Sequence, residues 1–255
     1  MKIKLPAPAL LIDLAREAGA KFALVPASRF PVGAALVGAT TGKVYFGANF
    51  EIAGPSIAQT VHAEQAAFVN AWHAGERGIA ALAVTHNPCG HCRQFLAETL
   101  GADFPIYVAG EKPSTLTTLL PRAFGPRDLG KSKPLMAAAP VKLALQGKYD
   151  ALTAAALDAA RKSYAPHTKG HMGVALELKD GSVFAGRYAE SASYNPSLPA
   201  LQSALILRHL AGSNSPILRA AIVGSRKAQF DETLRAQEML AWLAPKAKVA
   251  VAVAQ

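Results

Sequence analysis

The chain carries an internal repeat, and a repeat of this length restricts it to an architecture built from two similar halves. Three pairs of segments define the repeat: 29–36 with 169–176, 42–51 with 181–190, and 62–67 with 200–205. The offset between partners stays between 138 and 140 residues. Because both the order and the spacing persist, we predict that the two halves share one fold.

Each half has the pattern helix, strand, strand, helix, strand, helix, strand. In the first half Val32–Val37 and Lys43–Ala48 flank a Thr-Thr-Gly turn, which predicts a hairpin. Thr60 is the expected N-cap of a helix that runs through Trp72 and stops at Gly75. The other predicted elements of this half are a strand over Ile79–Thr85, a helix from Pro88 toward Leu100 that ends at Gly101, and a strand over Phe104–Ala109. Helices that alternate with strands around a mixed sheet predict the α/β class.

Length and proline placement predict how the chain divides. Its 255 residues correspond to one or two domains. Segment 110–140 contains five prolines, which favours a linker or an ordered loop over a regular element. We predict a first domain over residues 1–125, a linker over 126–140 and a second domain over 141–255.

Composition excludes several classes of protein. Hydrophobic residues make up 51% of the chain and charged residues 17%, which excludes intrinsic disorder. No apolar run approaches the roughly 18 residues of a membrane span, and the apolar stretch Pro6–Ile12 is followed by charged residues that predict an amphipathic helix. The two cysteines cannot build a disulfide framework. We therefore expect a soluble, cytoplasmic protein with no membrane partner.

The net charge of +10 is concentrated in the second half of the chain. Residues 1–125 contribute +2 and residues 126–255 contribute +8. A basic half can attract nucleic acid or anionic substrates. However, no run of five Lys or Arg residues occurs, and no aromatic residues interleave with the basic ones. A solvated basic surface is therefore the favoured interpretation.

The most informative pattern is His-Ala-Glu at 62–64 followed, after 23 residues, by Pro-Cys-Gly-His-Cys at 88–92. His62, Cys89 and Cys92 supply three zinc ligands and leave a fourth position for water, which is the pattern of a catalytic zinc. By itself the Cys-x-x-Cys pair also fits a redox pair or half of a structural zinc knuckle. The His-Ala-Glu segment favours a catalytic Zn²⁺, with one ion per chain.

Helix N-termini are expected to support this site. Cys89 and Cys92 are spaced i, i+3 and share one face in the first turn of a helix, while His62 begins a helix of its own. Unpaired N–H groups and the helix dipole favour thiolates there. Glu64 is expected to stay unligated and act as general acid and base, because H-x-E followed by P-C-x-x-C is the known signature of zinc deaminases. His91 is expected to point away from the cysteine face and to stay outside the ligand set.

Four motifs occur in order: YFGANFE at 45–51, QTVHAEQ at 59–65, PCGHCRQF at 88–95 and LPRAFGPRDL at 120–129. On these motifs the sequence resembles the cytidine deaminases, specifically the homodimeric two-domain type of bacteria and plants. The resemblance implies a three-layer αβα cytidine deaminase-like fold with a mixed sheet, duplicated in one chain. It also implies a homodimer that deaminates cytidine and 2′-deoxycytidine to uridine and 2′-deoxyuridine, with release of ammonia, in pyrimidine salvage.

The resemblance further implies a ribose subsite. It assigns Asn49 and Glu51 to a clamp on the ribose 3′-hydroxyl and includes Phe50 between them in the same binding segment. The residue types fit, because a carboxylate accepts a hydrogen bond from a hydroxyl and an amide both donates and accepts. Alternation along a strand predicts that residues 49 and 51 share one face.

The contacts to the base are implied in the same way. Phe30 resembles the aromatic residue that packs against the pyrimidine, and Phe124 the residue that caps the pocket across a subunit interface. The backbone N–H of Ala63 and the backbone carbonyl of Asn87 resemble the contacts to the base O2 and to the departing amine. A core position for Phe30 and a loop anchor for Phe124 remain the alternatives.

The second half has lost the catalytic residues. In the repeat alignment Ala200 replaces His62, Gln202 replaces Glu64, and no cysteine follows Cys92. We predict that this half holds no zinc and completes the walls of the active site and the dimer core.

Two other functions share parts of this pattern. A deaminase acting on cytosine in single-stranded nucleic acid has the same zinc signature, but a clamp on a free 3′-hydroxyl argues against a continuing strand. A non-catalytic zinc-binding scaffold would have no use for Glu64. Deaminases of free cytosine, of related nucleosides or of nucleotides remain open, although no glycine-rich phosphate loop is present. A small nucleoside, and not nucleic acid, is therefore the expected partner.

Overall fold

Two β-sheets divide the chain into two units. The structure, a computed structural model, describes residues 3–52, 57–99, 103–130 and 133–255. Within these ranges the first unit runs to Ala137 and also includes Ser191–Pro196, and the second comprises Ala138–Glu190 and Ser197–Gln255. The first unit therefore contains a short segment from the second half of the sequence.

The first unit is built around a five-stranded mixed sheet. Its helices and strands in chain order are α1 (Pro8–Phe22), β1 (Gly33–Gly38), β2 (Val44–Ala48), α2 (Ala63–His73), β3 (Ile79–Val84), α3 (Gly90–Leu96), β4 (Pro105–Val108), β5 (Ser114–Thr115) and α4 (Leu116–Leu119). Short 3-10 turns lie at Ile57–Gln59, Ala97–Thr99 and Leu135–Ala137. The strand order is β2-β1-β3-β4-β5, with β3 and β4 parallel and the other neighbours antiparallel.

The second unit repeats this plan. Its elements are α5 (Ala151–Arg161), β6 (Met172–Leu178), β7 (Val183–Arg187), α6 (Ala200–Leu210), β8 (Ile217–Ser225), α7 (Glu232–Leu243) and β9 (Lys248–Ala254). The strand order β7-β6-β8-β9 matches β2-β1-β3-β4, and β8 and β9 again run parallel. The predicted α/β class, mixed sheet and duplication are confirmed.

Glycines without room for a side chain place one helix on each face of the first sheet. A Cβ at Gly33 would lie 1.9 Å from the carbonyl oxygen of Ala15 in α1. A Cβ at Gly47 would lie 2.1 Å from the nitrogen of Ala67 in α2. Gly47 pairs with Ala34, the neighbour of Gly33, and successive residues of a strand point to opposite faces. The helices α1 and α2 therefore pack on opposite faces, which gives three layers.

The equivalent glycine contacts correct the alignment of the repeat at its second helix. A Cβ at Gly47 would lie 2.3 Å from the Ala63 carbonyl oxygen, and a Cβ at Gly186 would lie 2.2 Å from that of Ala200. Ala63 and Ala200 are thus equivalent, because each begins its helix and faces the equivalent glycine. The predicted pairing of Ala200 with His62 is wrong by one residue, since the loop that leads into α6 is shorter than the repeat alignment assumed.

This shift also changes which residues replace the catalytic ones. Pro199 is the N-cap of α6 and stands where His62 stands in α2. Leu201 therefore takes the place of Glu64, and the predicted replacement by Gln202 is wrong. Neither proline nor leucine has a side chain that binds zinc or transfers a proton. With Pro199 and Leu201 in place of His62 and Glu64, the second half is still predicted to lack this chemistry.

Helix α2 begins later than predicted. It starts at Ala63 with His62 as its N-cap, and not with Thr60. The N–H of Val61 donates to the carbonyl of Phe50 at 3.0 Å, and the Phe50 N–H donates back at 2.8 Å. This antiparallel pairing keeps the chain extended through Val61, so the helix cannot start earlier.

Other boundaries differ more modestly. Helix α3 is Gly90–Leu96, and its predicted end at Leu100 and Gly101 lies outside the described residues. The prediction that segment 110–140 contains no regular element is wrong for β5 and α4. Two features explain these short elements: β5 pairs with β4, and the Thr115 hydroxyl oxygen accepts an N-cap hydrogen bond from the N–H of Thr118. In the described part of the chain, no helix has the length and apolar character that crossing a membrane requires.

Candidate active site

Two helix N-termini bring the three predicted zinc ligands together. His62 is the N-cap of α2, Cys89 is the N-cap of α3, and Cys92 lies in the first turn of α3. The Nδ1 atom of His62 lies 3.3 Å from Sγ of Cys92 and 3.4 Å from Sγ of Cys89. Residues separated by 27 positions in the chain therefore form one cluster.

The spacing of this cluster fits a tetrahedral zinc ion. Zn–S bonds of about 2.3 Å and Zn–N bonds of about 2.0 Å place neighbouring ligand atoms about 3.5 Å apart. The distances of 3.3 and 3.4 Å between His62 Nδ1 and the two sulfurs agree with this value. Thiolate sulfur and imidazole nitrogen are also donors that zinc prefers.

His91 lies closer to the cluster than its sequence position predicts. The potential ligand atoms of His62, His91 and Cys92 lie within 4.8 Å of one another. The Nε2 atom of His91 is 3.3 Å from the carbonyl oxygen of Asn195 and donates to it, whereas Nδ1 is buried without a hydrogen-bond partner among the described residues. A fourth protein ligand would close a tetrahedral zinc site. An open site therefore requires that His91 stay out of the ligand set.

The two thiols of the cluster have opposite acidities. Hydrogen bonds from Cys92 and His62 lower the pKa of Cys89 to about 3. The hydrogen bond to Cys89, together with burial, raises the pKa of Cys92 well above its ordinary value. Zinc binds thiolate sulfur, so both sulfurs must be deprotonated when the ion is bound.

Glu64 lies directly beside the cluster. Its side chain is in the first turn of α2, is 4% exposed and forms a hydrogen bond with the Cys92 thiol. Burial raises the pKa of the Glu64 carboxyl above its ordinary value. A raised pKa favours a carboxyl group that both accepts and returns a proton during a reaction.

A cavity of about 270 Å³ opens onto the cluster. The predicted site residues that line it are Phe30, Asn49, Glu51, His62, Ala63, Glu64, Asn87 and Cys89. Four further lining residues were not predicted: Ser28, Val32, Thr60 and His86. A larger cavity of about 530 Å³ in the same unit is lined by no cysteine or histidine. Chemistry, and not size, therefore identifies the candidate site.

Asn49 and Glu51 use their side chains to hold the loop before β1. The Oδ1 atom of Asn49 accepts from the N–H of Val32 at 2.9 Å. The Oε2 atom of Glu51 accepts from the N–H groups of Ala27 and Ser28 at 2.8 and 3.0 Å. Burial opposes ionisation of Glu51, but the hydrogen bonds from Ser28 and Ala27 prevail and lower the pKa of its carboxyl. Asn49 and Glu51 lie beyond the end of β2. The alternation of side chains along a strand therefore does not explain why both line the same cavity.

Phe30 and His86 form an aromatic wall of the cavity. Their ring centroids are 4.5 Å apart with an interplanar angle of 52°, and Phe30 is 53% exposed. The Nδ1 atom of His86 lies 3.1 Å from Oγ1 of Thr85, which accepts from the N–H of Gly33. The motifs in the sequence assign no role to His86. Its position between the end of a predicted strand and the Pro-Cys-Gly-His-Cys motif was the signal available.

Phe50 and Phe124 are not brought to the cavity of this chain. The backbone of Phe50 is bonded to that of Val61 on one side and bridges to Leu24 on the other. Phe124 lies on the loop after α4, is 47% exposed, and its carbonyl accepts from Gln94 Nε2 at 2.5 Å. Neither Phe50 nor Phe124 is among the residues that line the cavity.

Comparisons with known proteins agree with this chemistry. Two family models, both described as the cytidine and deoxycytidylate deaminase zinc-binding region, match residues 9–107 and 116–237. Proteins named cytidine deaminase from Yersinia pseudotuberculosis and Yersinia pestis are each 48% identical over 217 residues, which cover 83% of this chain and 73% of the relative.

Solved structures of cytidine deaminases are also similar to parts of the chain. Those from Mycobacterium tuberculosis and Burkholderia pseudomallei are 37% and 35% identical, and each has a TM-score of 0.42. They match 46% and 47% of this chain and 96% and 100% of their own chains.

The two matched zinc-binding regions define the class of zinc-dependent deaminases. With 48% identity over most of its length to curated relatives, the chain belongs to the cytidine deaminase family. It is therefore an enzyme that uses zinc, and the His/Cys cluster of the first unit has the donor chemistry for that ion.

Proposed function

We propose that the chain catalyses the hydrolytic deamination of cytidine and 2′-deoxycytidine to uridine and 2′-deoxyuridine, with release of ammonia. The observation that carries this proposal is the buried carboxyl of Glu64, which lies against Cys92 and lines the cavity that opens onto the His/Cys cluster. The naming of the relatives supports the nucleoside as substrate.

The residues proposed to hold the ion are His62, Cys89 and Cys92. Zinc in such a site supplies a water molecule acidified to a pKa near 7. Two thiolates and a neutral imidazole balance the charge of Zn²⁺, so the site has no excess negative charge that would oppose the loss of a proton from that water.

Glu64 is proposed to move the protons of the reaction. Its carboxylate accepts a proton from the attacking water and delivers it to N3 of the cytosine ring, which makes C4 more electrophilic. After the water oxygen has bonded to C4, the same carboxylate takes the remaining proton from that oxygen and passes it to the 4-amino group. The C4–N bond then breaks to release ammonia, and the oxygen becomes the C4 carbonyl of uridine. Glu64 is buried and lines the cavity that opens onto the cluster, which supports this role.

The rest of the cavity is proposed to orient the nucleoside. The Ala63 N–H, at the first position of α2, is one of the donors that a helix leaves unpaired and is assigned to the base O2. The Asn87 carbonyl is assigned to the departing amine, and Phe30 to the face of the base. Asn49 and Glu51 are assigned to the 3′-hydroxyl. A carboxylate has about four lone-pair positions, so two backbone donors leave Glu51 able to accept another bond.

The decisive experiment measures zinc content and turnover on the same preparation. We expect about one zinc ion per chain by atomic emission, and release of ammonia and uridine from cytidine that stops when a chelator removes the metal. Protein that holds stoichiometric zinc but turns over neither cytidine nor 2′-deoxycytidine would refute the proposed substrate.

A free nucleoside, and not a polynucleotide, is the proposed partner. A clamp on the 3′-hydroxyl leaves no path for a strand that continues from that oxygen. Cytidine and a cytosine-containing single-stranded DNA are therefore compared at equal base concentration. Faster deamination of the DNA would contradict this assignment.

We also propose a cytoplasmic homodimer acting in pyrimidine salvage, with residues 1–125 as the catalytic domain, 126–140 as the linker and 141–255 as a degenerate domain. Half-exposed Phe124 supports the dimer, because the residue lies outside the cavity of its own chain. Light scattering is expected to give twice the mass of one chain, and Phe124→Ala is expected to raise KM for cytidine. A fully active monomer would contradict both.

A further inference from the structure

A segment of six residues, Ser191–Pro196, contacts both helices that carry the proposed zinc ligands. We call it the strap. It belongs to the first unit, although the residues on either side of it in the chain belong to the second. The assigned catalytic and substrate-binding residues include none of its members.

One end of the strap is held by a buried glutamate side chain. Glu98 is 0% exposed and lies in the 3-10 turn that continues helix α3. Its Oε1 atom accepts from the N–H of Ala192 at 2.7 Å and from the hydroxyl of Ser191 at 3.1 Å. These two hydrogen bonds join this end of α3 to the strap.

The other end of the strap reaches the beginnings of both ligand-bearing helices. The carbonyl of Asn195 accepts from His91, which lies between the two cysteines in α3. The carbonyl of Pro196 accepts from the Nε2 atom of Gln65 at 3.3 Å, in the first turn of α2.

Gln65 continues this contact to a zinc ligand. It is 1% exposed, and its Oε1 atom accepts from the backbone N–H of His62 at 3.3 Å. A single side chain thus links the strap to the backbone of His62. The strap, Gln65 and His91 connect the N-terminus of α2 with that of α3, and Glu98 secures the far end of α3.

We propose that the strap is a clamp that fixes the spacing between the N-termini of α2 and α3, and that Glu98 is a positioning residue for the zinc ligands. This inference rests on the proposed zinc site. Zinc affinity depends on how well the ligands are held before the ion binds, and loss of such supporting contacts typically weakens binding by 10- to 100-fold. The predicted effect is therefore on retention of the metal.

The test measures the rate of zinc release from the full-length, zinc-loaded protein into a chromogenic chelator. Glu98→Leu removes the acceptor, Glu98→Gln keeps one acceptor oxygen for Ala192, and Ser191→Ala removes one donor. We expect release to be at least tenfold faster for Glu98→Leu, with Glu98→Gln and Ser191→Ala between it and the wild type. The variants form a graded series for a reason. A purely structural role of Glu98 would not make the rate of zinc release follow the strength of the hydrogen bond between this side chain and the strap.

Glu76→Gln is the matched control. Glu76 is another buried carboxylate of the first unit, 1% exposed, that accepts from the N–H groups of Thr40 and Thr41. Among the described residues, none of its hydrogen bonds reaches the strap or a proposed zinc ligand. We expect Glu76→Gln to lower Tm while zinc release stays within twofold of the wild-type rate.

The outcomes separate the clamp from the proposed function. Release from Glu98→Leu no faster than from Glu76→Gln overturns the clamp, while a zinc-loaded wild type leaves the catalytic site intact. If Glu98→Leu fails to fold, wild-type release rates in both Glu98→Gln and Ser191→Ala overturn it. A wild-type chain that binds no zinc overturns the proposed function, and the clamp with it.

Discussion

Glu51 shows how one residue can carry a structural role that its motif hides. In the first unit it holds the N–H groups of Ala27 and Ser28. In the second unit Glu190 holds the N–H groups of His167 and Thr168 in the same manner. Because the second unit keeps this carboxylate although Pro199 stands there in place of His62, the bond to the loop is sufficient reason for its presence. The proposed contact of Glu51 with the ribose would be additional to this structural role.

Glu64→Gln tests the proton-transfer role at the same scale. The amide has the size of the carboxyl but cannot accept a proton from water, so kcat for cytidine is expected to fall by about 10²- to 10⁴-fold or more. Zinc content, measured by atomic emission, is expected to stay at the wild-type value because Glu64 is not a proposed ligand. A kcat within tenfold of the wild type would contradict the assignment.

The ligand set is tested by comparing Cys89→Ala with His91→Asn. If His62, Cys89 and Cys92 hold the ion, Cys89→Ala is expected to purify with little zinc. His91→Asn is expected to bind one ion per chain and to release it faster, since it loses the bond to the strap. The reverse result, zinc retained without Cys89 and lost without His91, would mean that His91 is a ligand.

At the scale of elements, the site depends on where two helices begin. Antiparallel pairing of Val61 with Phe50 delays the start of α2 until Ala63, and this delay makes His62 its N-cap. The loop after β3 likewise brings Cys89 to the N-cap of α3. Capping preference alone predicted a cap at Thr60, because it takes no account of Phe50, which pairs with Val61 from eleven residues earlier in the chain.

Gly186→Ala tests the helix–sheet contact that both units share. The added Cβ would lie 2.2 Å from the Ala200 oxygen and from the Ala204 nitrogen, both backbone atoms that cannot rotate away. We expect a loss of about 1–3 kcal/mol, as for other overpacked sites. Calorimetry is expected to show a Tm several degrees lower. Gly125→Ala, where a Cβ would meet nothing within 4 Å, is the control, and an equal fall in Tm for it would contradict this explanation.

For the whole molecule, duplication preserved architecture and lost chemistry. Both units have the same strand order, and in both a glycine on each of the first two strands leaves room for a helix. These features belong to the backbone and tolerate changes in neighbouring side chains. The zinc cluster depends on three particular side chains, so its counterpart in the second unit disappears once Pro199 stands at the ligand position.

The buried carboxylates are expected to determine how folding stability is lost at acid pH. Burial opposes ionisation of Glu76, but hydrogen bonds from Thr41, Thr40 and Tyr45 lower the pKa of its carboxyl below the ordinary 4.5. A lowered pKa in the folded state contributes stability above the unfolded pKa that is lost as the pH falls through the folded value.

We therefore expect Glu76→Gln to be less stable than the wild type at pH 7, by about 1–3 kcal/mol, and the difference to shrink as pH falls below 4.5. Urea unfolding between pH 3 and pH 7 measures this difference. Asp13→Asn, a change at a side chain that is 60% exposed, is the control and is expected to alter stability by less than about 0.5 kcal/mol. A difference for Glu76→Gln that grows toward acid pH would contradict the sign.

The sequence alone determined the α/β class, the duplication, the zinc signature and the family. Each of these depends on local periodicity or on motif spacing, which can be read along the chain. The position of Glu64 next to the motif histidine belongs to the same group, since two residues in one helical turn cannot lie far apart.

Only the tertiary structure decided the start of α2, the register of the repeat at α6, the aromatic wall of Phe30 and His86, and the strap. Each depends on contacts between residues far apart in the chain, up to 131 positions for Gln65 and Pro196. No local pattern encodes such contacts, because the side chains involved are individually ordinary. They gain a role only when folding places them beside the ends of two helices.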